Sequence, residues 1–452
     1  MDSPADCLTG RSLPPNGMMI SGLRRLMLHA ALAACVLLPC GVAQAAGDIL
    51  VSAASGELWG ATRRELAEGT LKGAKYKEVD ERTYRFLGAK QQEGDKSRAR
   101  KEGDRPSGNP FLTVAGIPTR DVTLIWDEEL LHVQKAYTTI YNKGDDGALD
   151  KSTFDEVVKL SMDAISDILE EQPKVRKIDK KDAGVKPRAW VWQNDHCSVL
   201  LEAHATGAGK RYSSEFIRLT IVQVESELER GGADDAARRA DLKQNVRKDK
   251  EGSVWIDGVP MVDQGEKGYC VPAAIARVFA YYNMDGVDQH ALAAICKSSG
   301  VEGTTIESMN KALSSIASRF HVGVSSWRWF NMKDFEKYVQ KKRLAPEELF
   351  NPKARLLYAS EKQAAVRKGL KDIRKYIDAG IPVVWGVMLG LFPEDGLPQA
   401  AGGHMRLIIG YNEPLQMIIY TDSWGAGHEL KAMPVSQAYA ISAVLYVLRP
   451  LR

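Results

Sequence analysis

One stretch of the sequence decides how the chain is interpreted: Asp263-Gln-Gly-Glu-Lys-Gly-Tyr-Cys270-Val-Pro-Ala-Ala274. Glycines bracket a turn, and Cys270 stands where apolar residues begin to recur at helical spacing through residue 283. A helix start offers unpaired backbone N–H groups and a positive dipole end, both of which favour a thiolate over a thiol. The stretch therefore predicts a nucleophilic cysteine, although by itself it fits a glycine-rich turn beside a buried, inert cysteine equally well.

Gln264 stands six residues before Cys270, across the same turn. A side-chain amide in that position can donate a hydrogen bond to the oxyanion that forms when a thiolate attacks a carbonyl carbon. The backbone N–H of Cys270 would be the second donor. We therefore expect Gln264 to contribute to an oxyanion hole.

His404 and Asp422 are the candidate partners of the cysteine. The segment Gly402-Gly-His404 opens an apolar strand, which places an imidazole at a strand edge, where a general base belongs. The next predicted strand, residues 417–422, ends in Asp422. If the two strands are antiparallel neighbours, the carboxylate lies beside the imidazole, where it holds the ring tautomer and stabilises the imidazolium. An interpretation without catalysis would have to explain why Gln264, Cys270, His404 and Asp422 all occur in these positions.

These residues resemble the papain-like cysteine peptidases. The resemblance rests on Gln-Gly-x-x-Gly-x-Cys, on a His 134 residues after the Cys, and on the Ser-Trp-Gly that follows Asp422. Within that group, segments 259–264, 270–274 and 280–282 look most like the bacteriocin-processing, C39-like peptidase domains. The resemblance covers about residues 254–452. It implies that Cys270 is the nucleophile, His404 the base, Asp422 the orienting residue and Gln264 the oxyanion-hole glutamine.

Two positions differ from papain itself, which has Asn as the third residue and Trp after the nucleophile. This chain has Asp422 and Val271 there. The Asp matches the bacteriocin-processing branch and also phytochelatin synthases, which pass the acyl group to an amine. The resemblance implies a thiol hydrolase that acts on peptide or other amide bonds through an acyl-enzyme. Acyl transfer by the same residues is one alternative, and a papain-like binding module without activity is another.

The fold class expected for the whole chain is α+β. In the second half, helical patterns at residues 272–283, 305–316 and 370–377 come before strand patterns at 381–387, 405–411, 417–422 and 443–448. We expect a papain-like peptidase domain over residues 253–452, with helices first and an antiparallel sheet afterwards.

A smaller α+β domain of unknown role is expected at residues 46–224, called the front domain below. It has a helical pattern within residues 154–169 and strand patterns at 189–192, 197–203 and 216–224. Residues 225–252 are rich in charge and predict a linker or a charged helix. The front domain is either an inhibitory pro-segment, released by cutting around residues 238–250, or a permanent domain, which its strand content favours.

The amino terminus has the order of a secretory signal peptide over residues 1–45. A pair of arginines precedes an apolar run from Leu26 to Leu38, and Ala43-Gln-Ala45 supplies a cleavage site. The run of 13 residues is too short to span a membrane. We expect an exported protein, periplasmic or secreted, with no integral span in the mature chain. Acylation of Cys40 is a less favoured alternative, because Pro39 before it fits a lipoprotein signal poorly.

Composition excludes several classes of protein. Of 452 residues, 44% are hydrophobic and 26% are charged, which fits a globular chain and neither a disordered nor a polytopic membrane protein. The formal net charge of +3 gives no electrostatic reason to expect a nucleic-acid partner. We expect a peptide or protein substrate and no cofactor or metal. The sequence does not predict the oligomeric state.

Six cysteines are too few for a disulfide framework. Cleavage after residue 45 would leave an odd number, Cys197, Cys270 and Cys296. A pairing of Cys197 with Cys296 would leave Cys270 free. Alternatively, Cys296 is a buried, inert thiol on the apolar face of a helix. The sequence does not decide between the two.

Overall fold

The computed structural model describes residues 47–72, 74–87, 112–127, 129–176, 187–224, 239–265, 268–284, 288–298, 303–397 and 401–451. The predicted signal peptide and the first half of the predicted linker, residues 225–238, lie outside these ranges. From Gly47 onward the chain clusters as one unit. No helix in the described ranges is long and apolar enough to cross a membrane.

In its described residues, the front domain contains five α-helices and ten strands. Its helices are α1 (Ile49–Ala54), α2 (Glu57–Gly60), α3 (Arg63–Glu68), α4 (Lys143–Asp146) and α5 (Lys151–Leu169). Its strands are β1 (Lys75–Glu78), β2 (Thr83–Leu87), β3 (Thr113–Val114), β4 (Ile117–Pro118), β5 (Asp121–Trp126), β6 (Val133–Asn142), β7 (Lys174–Val175), β8 (Arg188–Gln193), β9 (Cys197–Thr206) and β10 (Ser213–Gln223). All but the hairpin β3–β4 form one antiparallel sheet, ordered β1-β2-β5-β6-β10-β9-β8-β7.

Helix α5 shows how the apolar pattern of the front domain is used. Asp150 caps the helix by accepting the backbone N–H of Thr153, and Phe154, Val158 and Ile165 recur on its buried face. That face packs against β8 and β10. The predicted helix and the three predicted strands are confirmed. Strands β1, β2, β5 and β6 were not predicted; β1, for example, reads Lys-Tyr-Lys-Glu and is mostly exposed, so it has no apolar alternation.

The part of the second half that the structure describes contains eight more α-helices and a second sheet. The helices are α6 (Arg239–Leu242), α7 (Cys270–Tyr281), α8 (Gln289–Cys296), α9 (Ile306–Arg319), α10 (Met332–Lys341), α11 (Pro352–Glu361), α12 (Gln363–Ile377) and α13 (Val435–Ile441). The strands are β11 (Val246–Lys248), β12 (Ser253–Ile256), β13 (Val322–Trp327), β14 (Val383–Leu389), β15 (Gly402–Asn412), β16 (Met417–Thr421), β17 (Lys431–Pro434) and β18 (Ser442–Pro450). This sheet is antiparallel, ordered β11-β12-β15-β14-β18-β13, with β16 on β15 and β17 on β16.

The core of the second half lies between this sheet and its helices. Helix α7 is buried on nearly all sides, and both α7 and α12 pack against β15. Gly380 lies just past the end of α12 with a φ of +72°. A Cβ atom there would lie 2.0 Å from the carbonyl oxygen of Leu242, so only glycine fits. The predicted α+β class is confirmed, with β11, β12 and β13 coming earlier in the chain than expected.

The described end of the predicted linker takes part in the second sheet. Strand β11 pairs with β12, with Val246 opposite Ile256, and Leu242 is buried in the same hydrophobic core. The segment before residue 253 therefore has apolar residues to bury.

Candidate active site

Cys270 is the first residue of α7, with Tyr269 at the N-cap position, and it is partly exposed. Burial raises the pKa of this thiol. The nearby imidazole of His404 and the backbone N–H groups of Met405 and Val271 outweigh burial, so the pKa of Cys270 lies below its usual value. The Val271 N–H belongs to the first turn of the helix, as expected of a helix start. The surroundings of Cys270 therefore favour a thiolate.

The other two cysteines of the described chain have the opposite surroundings. Cys197 in β9 and Cys296 in α8 are unpaired and buried, and burial alone raises the pKa of each to about 12. The disulfide that the sequence left open is not formed. Of the described cysteines, Cys270 is thus the one with a lowered pKa.

His404 and Asp422 come together through the pairing of two strands. His404 lies on β15, Asp422 directly follows β16, and the antiparallel register sets Leu407 opposite Thr421. The Nε2 atom of His404 is 2.9 Å from Oδ1 of Asp422, and both side chains are fully buried. Burial lowers the pKa of His404, but its interactions with Asp422 and Cys270 raise the pKa above the usual value.

The two ring nitrogens of His404 have different neighbours. Nε2 is hydrogen-bonded to Asp422, and Nδ1 has no hydrogen-bond partner among the described residues. Nδ1 is therefore the nitrogen available to Cys270. In enzymes without substrate, contacts of this kind are often long and tighten only when the substrate binds.

Trp424 covers the His404–Asp422 pair. The Trp424 and His404 rings stack with centroids 4.3 Å apart and planes 15° from parallel. Trp424 also meets the ring of His428 edge-on, with the ring centroids 5.4 Å apart. A buried indole stacked in this way keeps water from the imidazole, which strengthens the hydrogen bond to Asp422.

A buried arginine completes the cluster. The Nε atom of Arg406 lies 3.0 Å from Oδ1 of Asp422, so one oxygen accepts from both His404 and Arg406. Arg406 Nη1 lies 2.9 Å from Glu394 Oε2, which also accepts the Tyr420 hydroxyl at 2.5 Å. Burial raises the pKa of Asp422, but the hydrogen bond from His404 and the charge of Arg406 hold that pKa below its usual value. Asp422 is therefore kept ionised.

Arg277 fixes α7 to the end of β16. Its Nη1 donates to the backbone carbonyl of Asp422, its Nη2 to the hydroxyl of Thr421 and its Nε to the carbonyl of Pro260, each at 2.7 Å. Burial lowers the pKa of Arg277 to about 10, so the side chain is still cationic at neutral pH. The helix that begins at Cys270 is thereby held against the strand end that carries Asp422.

Gln264 is buried in the loop directly before α7. Its backbone N–H donates to the carbonyl of Ser423, the residue after Asp422, at 2.9 Å. The structure thus brings the cysteine, the histidine and the aspartate into one cluster and attaches the Gln264 loop to it. The catalytic roles of the four residues stay predictions at this point. Within the described ranges, no group of three or more His, Cys, Asp or Glu is arranged to hold a metal ion.

Three residues of this cluster were not predicted from the sequence: Arg406, Glu394 and Arg277. One signal for Arg406 was present, because it stands two residues after His404 in an apolar strand and so lies on the same face. A charged residue in such a strand is rarely buried without a partner. Glu394 stands in the loop between β14 and β15, where no periodic pattern marks it.

Comparison with known proteins places part of this chain in a family. Residues 256–443 match the Peptidase_C39 like family. No curated protein matches the chain. Among solved structures, the chain is similar to xylellain, a cysteine protease from Xylella fastidiosa, at 12% identity over 48% of this chain and 92% of that chain. The TM-score of 0.23 is too low for this likeness to add to the family match.

The family match spans all four predicted site residues. It begins at the end of β12, includes the Gln264 loop and α7, and runs through β15 and β16 into β18. Its mixture of helices and antiparallel strands is the fold class expected from the sequence. Residues 256–443 therefore form a C39-like domain of the papain-like cysteine peptidase group, as the sequence resemblance predicted.

Proposed function

We propose that this protein is a cysteine peptidase, or a closely related amide hydrolase, that acts through Cys270, His404 and Asp422. One observation carries the proposal: of the three described cysteines, Cys270 alone has a lowered pKa. The group that lowers this pKa most is the imidazole of His404, which the buried carboxylate of Asp422 holds in place. A cysteine that only fills a hydrophobic core is not expected to lie beside an imidazole that a carboxylate orients.

The proposed reaction transfers an acyl group to water in two steps. The Cys270 thiolate attacks the carbonyl carbon of the scissile amide, and the carbonyl electron pair moves to oxygen. The Gln264 side-chain amide and the Cys270 backbone N–H donate to that oxyanion. His404 gives its Nδ1 proton to the leaving amine as the C–N bond breaks. A water molecule that loses its proton to His404 then cleaves the thioester, and the acid product leaves.

Asp422 supports the protonated histidine in this scheme. Its 2.9 Å hydrogen bond fixes the Nε2–H of His404, so the mobile proton is the one on Nδ1, on the side of Cys270. The raised pKa of His404 and the lowered pKa values of Asp422 and Cys270 all favour an imidazolium between two anions. The stacked Trp424 shields this arrangement from water.

A peptide or protein is the proposed substrate, because the matching family is one of peptidases. The same thioester can be attacked by an amine instead of water. Product analysis with an added amine distinguishes the two outcomes, since only transfer yields a new amide. Hydrolysis predicts the free acid alone.

Export is part of the proposal and rests on the signal-like residues 1–45. Amino-terminal sequencing of the mature protein, recovered from the extracytoplasmic fraction, should begin at Ala46. An intact amino terminus on protein found only in the cytosol would contradict export.

Covalent labelling followed by a turnover assay tests the proposed function. A peptide that carries a thiol-reactive electrophile is incubated with the chain at neutral pH, and mass spectrometry locates the label. We expect stoichiometric labelling of Cys270, none in Cys270→Ser, and unchanged labelling in Cys296→Ala, the matched control for a buried thiol.

Turnover is then measured on a peptide library. Hydrolysis should be lost in Cys270→Ser and Cys270→Ala while circular dichroism stays unchanged. Hydrolysis that survives in these variants contradicts the catalytic assignment. Labelling of Cys270 without any hydrolysis or transfer would instead identify a binding module.

A further inference from the structure

The front domain contacts the second half directly before Gln264, directly before Cys270, and at Ala426, four residues after Asp422. The first contact involves Asp263, the residue before Gln264. Its Oδ2 atom lies 3.1 Å from Nζ of Lys77 in β1 and 3.2 Å from Nη1 of Arg85 in β2. Two cations of the front domain thus converge on one carboxylate oxygen beside the proposed oxyanion donor.

The second contact lies beside the proposed nucleophile. Tyr269, the residue before Cys270, donates its hydroxyl hydrogen to Oδ1 of Asn142, at the end of β6, at 3.0 Å. The same Asn142 meets Nδ1 of His290 in α8 at 2.5 Å through its Nδ2. Both bonds cross from the front domain to the second half.

The third contact follows Asp422. The backbone N–H of Ala426 donates to the carbonyl oxygen of Glu78 at 3.0 Å. Gly425, with a φ of +81°, allows this approach, since a Cβ atom there would lie 3.2 Å from that oxygen. The loop after β16 is therefore held against β1.

Asp263 is a buried charge that depends on the front domain. Its side chain is only 4% exposed. Burial raises the pKa of Asp263, but the charges of Arg85 and Lys77 and the N–H of Gly265 hold it below the usual value. Arg85 is itself anchored in the front sheet, where its Nε donates to Asp121 at 2.8 Å. The contact is therefore an ion pair between fixed groups.

The two oxygens of Asp263 have different tasks. Oδ2 receives the two cations, while Oδ1 accepts the backbone N–H of Gly265 at 3.0 Å and so closes a turn around Gln264. The backbone N–H of Gln264 is bound in turn to the carbonyl of Ser423. The direction of the Asp263 carboxylate consequently sets the path of the backbone through Gln264.

We infer that the front domain is a permanent positioning part of the active site, in which Arg85 and Lys77 orient Asp263 and, through it, the turn that carries Gln264. The inference rests on the proposed function, since it gives Gln264 its task. An inhibitory pro-segment must leave for the enzyme to work. Departure of this domain would instead strip a buried carboxylate of both its cations, which disfavours the turn.

The expected effect of removing Arg85 is a loss in kcat. A displaced oxyanion donor acts on the transition state and hardly on substrate binding. We expect Arg85→Met to lower kcat by about 10- to 100-fold, with KM changed less than about twofold. Arg188→Met is the matched control and should keep full kcat, because Arg188 pairs with Asp155 inside the front domain.

A double-mutant cycle isolates the path through Gln264. The variants Arg85→Met, Gln264→Ala and the two combined are assayed on the same peptide. If Arg85 acts through Gln264, the substitution should cost nothing further in the Gln264→Ala background. Lys77→Met repeats the cycle at a more exposed position, should Arg85→Met fail to fold.

The outcomes separate this inference from the proposed function. An equal loss from Arg85→Met in both backgrounds, no loss, or a gain in kcat overturns the positioning role. Full kcat in Gln264→Ala overturns it as well, while Cys270 labelling still reports on the proposed function by itself. Cutting the chain near residue 238 should leave kcat unchanged while both halves stay together. If separating the halves raises kcat and adding the front half back lowers it again, the front domain is an inhibitory pro-segment.

Discussion

Replacing Arg406 by Met removes the cation that lies between the buried carboxylate of Asp422 and the partly buried carboxylate of Glu394. In the native chain the guanidinium lies 3.0 Å from Asp422, 2.9 Å from Glu394 and 4.4 Å from the centre of the Tyr420 ring, and the side chain has no exposed surface. Met is apolar and unbranched, so it fills the space of the aliphatic part of Arg406 without reaching the position of the guanidinium. Removing one partner of a buried ion pair costs roughly 3–5 kcal/mol, because the remaining charge is left desolvated. We expect the free energy of unfolding at pH 7 to fall by about that amount.

Urea unfolding followed by tryptophan fluorescence measures this loss. The matched variant combines Arg406→Met with Glu394→Gln, which removes one of the two uncompensated charges. The double variant should recover part of the stability, as residues in one network are not additive. A loss below about 1 kcal/mol in Arg406→Met, or no recovery in the double variant, would refute the reasoning.

The same substitution should shift the pH dependence of activity. The pKa of Asp422 lies below its usual value, so its contribution to stability is full above the unfolded-state pKa and is lost as the pH falls through the folded-state pKa. Without Arg406 the folded-state pKa rises, and the carboxylate that holds His404 is lost at a higher pH. In Arg406→Met, the acid limb of the plot of kcat against pH should therefore move to higher pH. It should not move in Arg374→Met, whose arginine pairs with Glu413 at the surface.

Asp422→Asn should keep part of the activity, because an amide oxygen still accepts from the imidazole, whereas Asp422→Ala should lose more. Wild-type rates in the alanine variant would remove Asp422 from the proposed site. Gln264→Ala should lower kcat by roughly 10²–10³-fold with little change in KM. A loss wholly in KM would make Gln264 a substrate-binding residue. Alkylation of Cys270 by iodoacetamide should stay fast well below the usual thiol pKa of about 8.5, and a rate that follows an ordinary thiol would contradict the lowered pKa.

The site residues could be predicted where local pattern and chemistry coincide. Cys270 is marked by a glycine-bracketed helix start, and His404 and Asp422 by their places at the ends of two consecutive apolar strands. Each of these signals spans a few residues. Because consecutive strands usually pair, the contact between the histidine and the aspartate followed from the order of the elements.

The supporting residues could not be predicted because their partners are distant in sequence. Arg85 is 178 positions from Asp263, and its role depends on how two sheets meet. Glu394 reaches Arg406 from a loop without periodic pattern. Of the two front-domain strands nearest to the site, β1 is mostly exposed and has no apolar alternation. Strand β2 does alternate, with Tyr84 and Phe86 buried, but it spans only five residues. Tertiary contact, and not local preference, decides these positions.

Because the two other described cysteines are buried, we expect oxidants to react with the proposed enzyme mainly at Cys270. Cys197 and Cys296 are shut inside the protein, with pKa values near 12, so neither is easily oxidised. Peroxide would act on Cys270 and form a sulfenic acid there, and no exposed thiol in the described chain is present to convert it to a disulfide. Outside the cytoplasm, where export would take the protein, its working lifetime would depend on how quickly an external reductant restores this one sulfur.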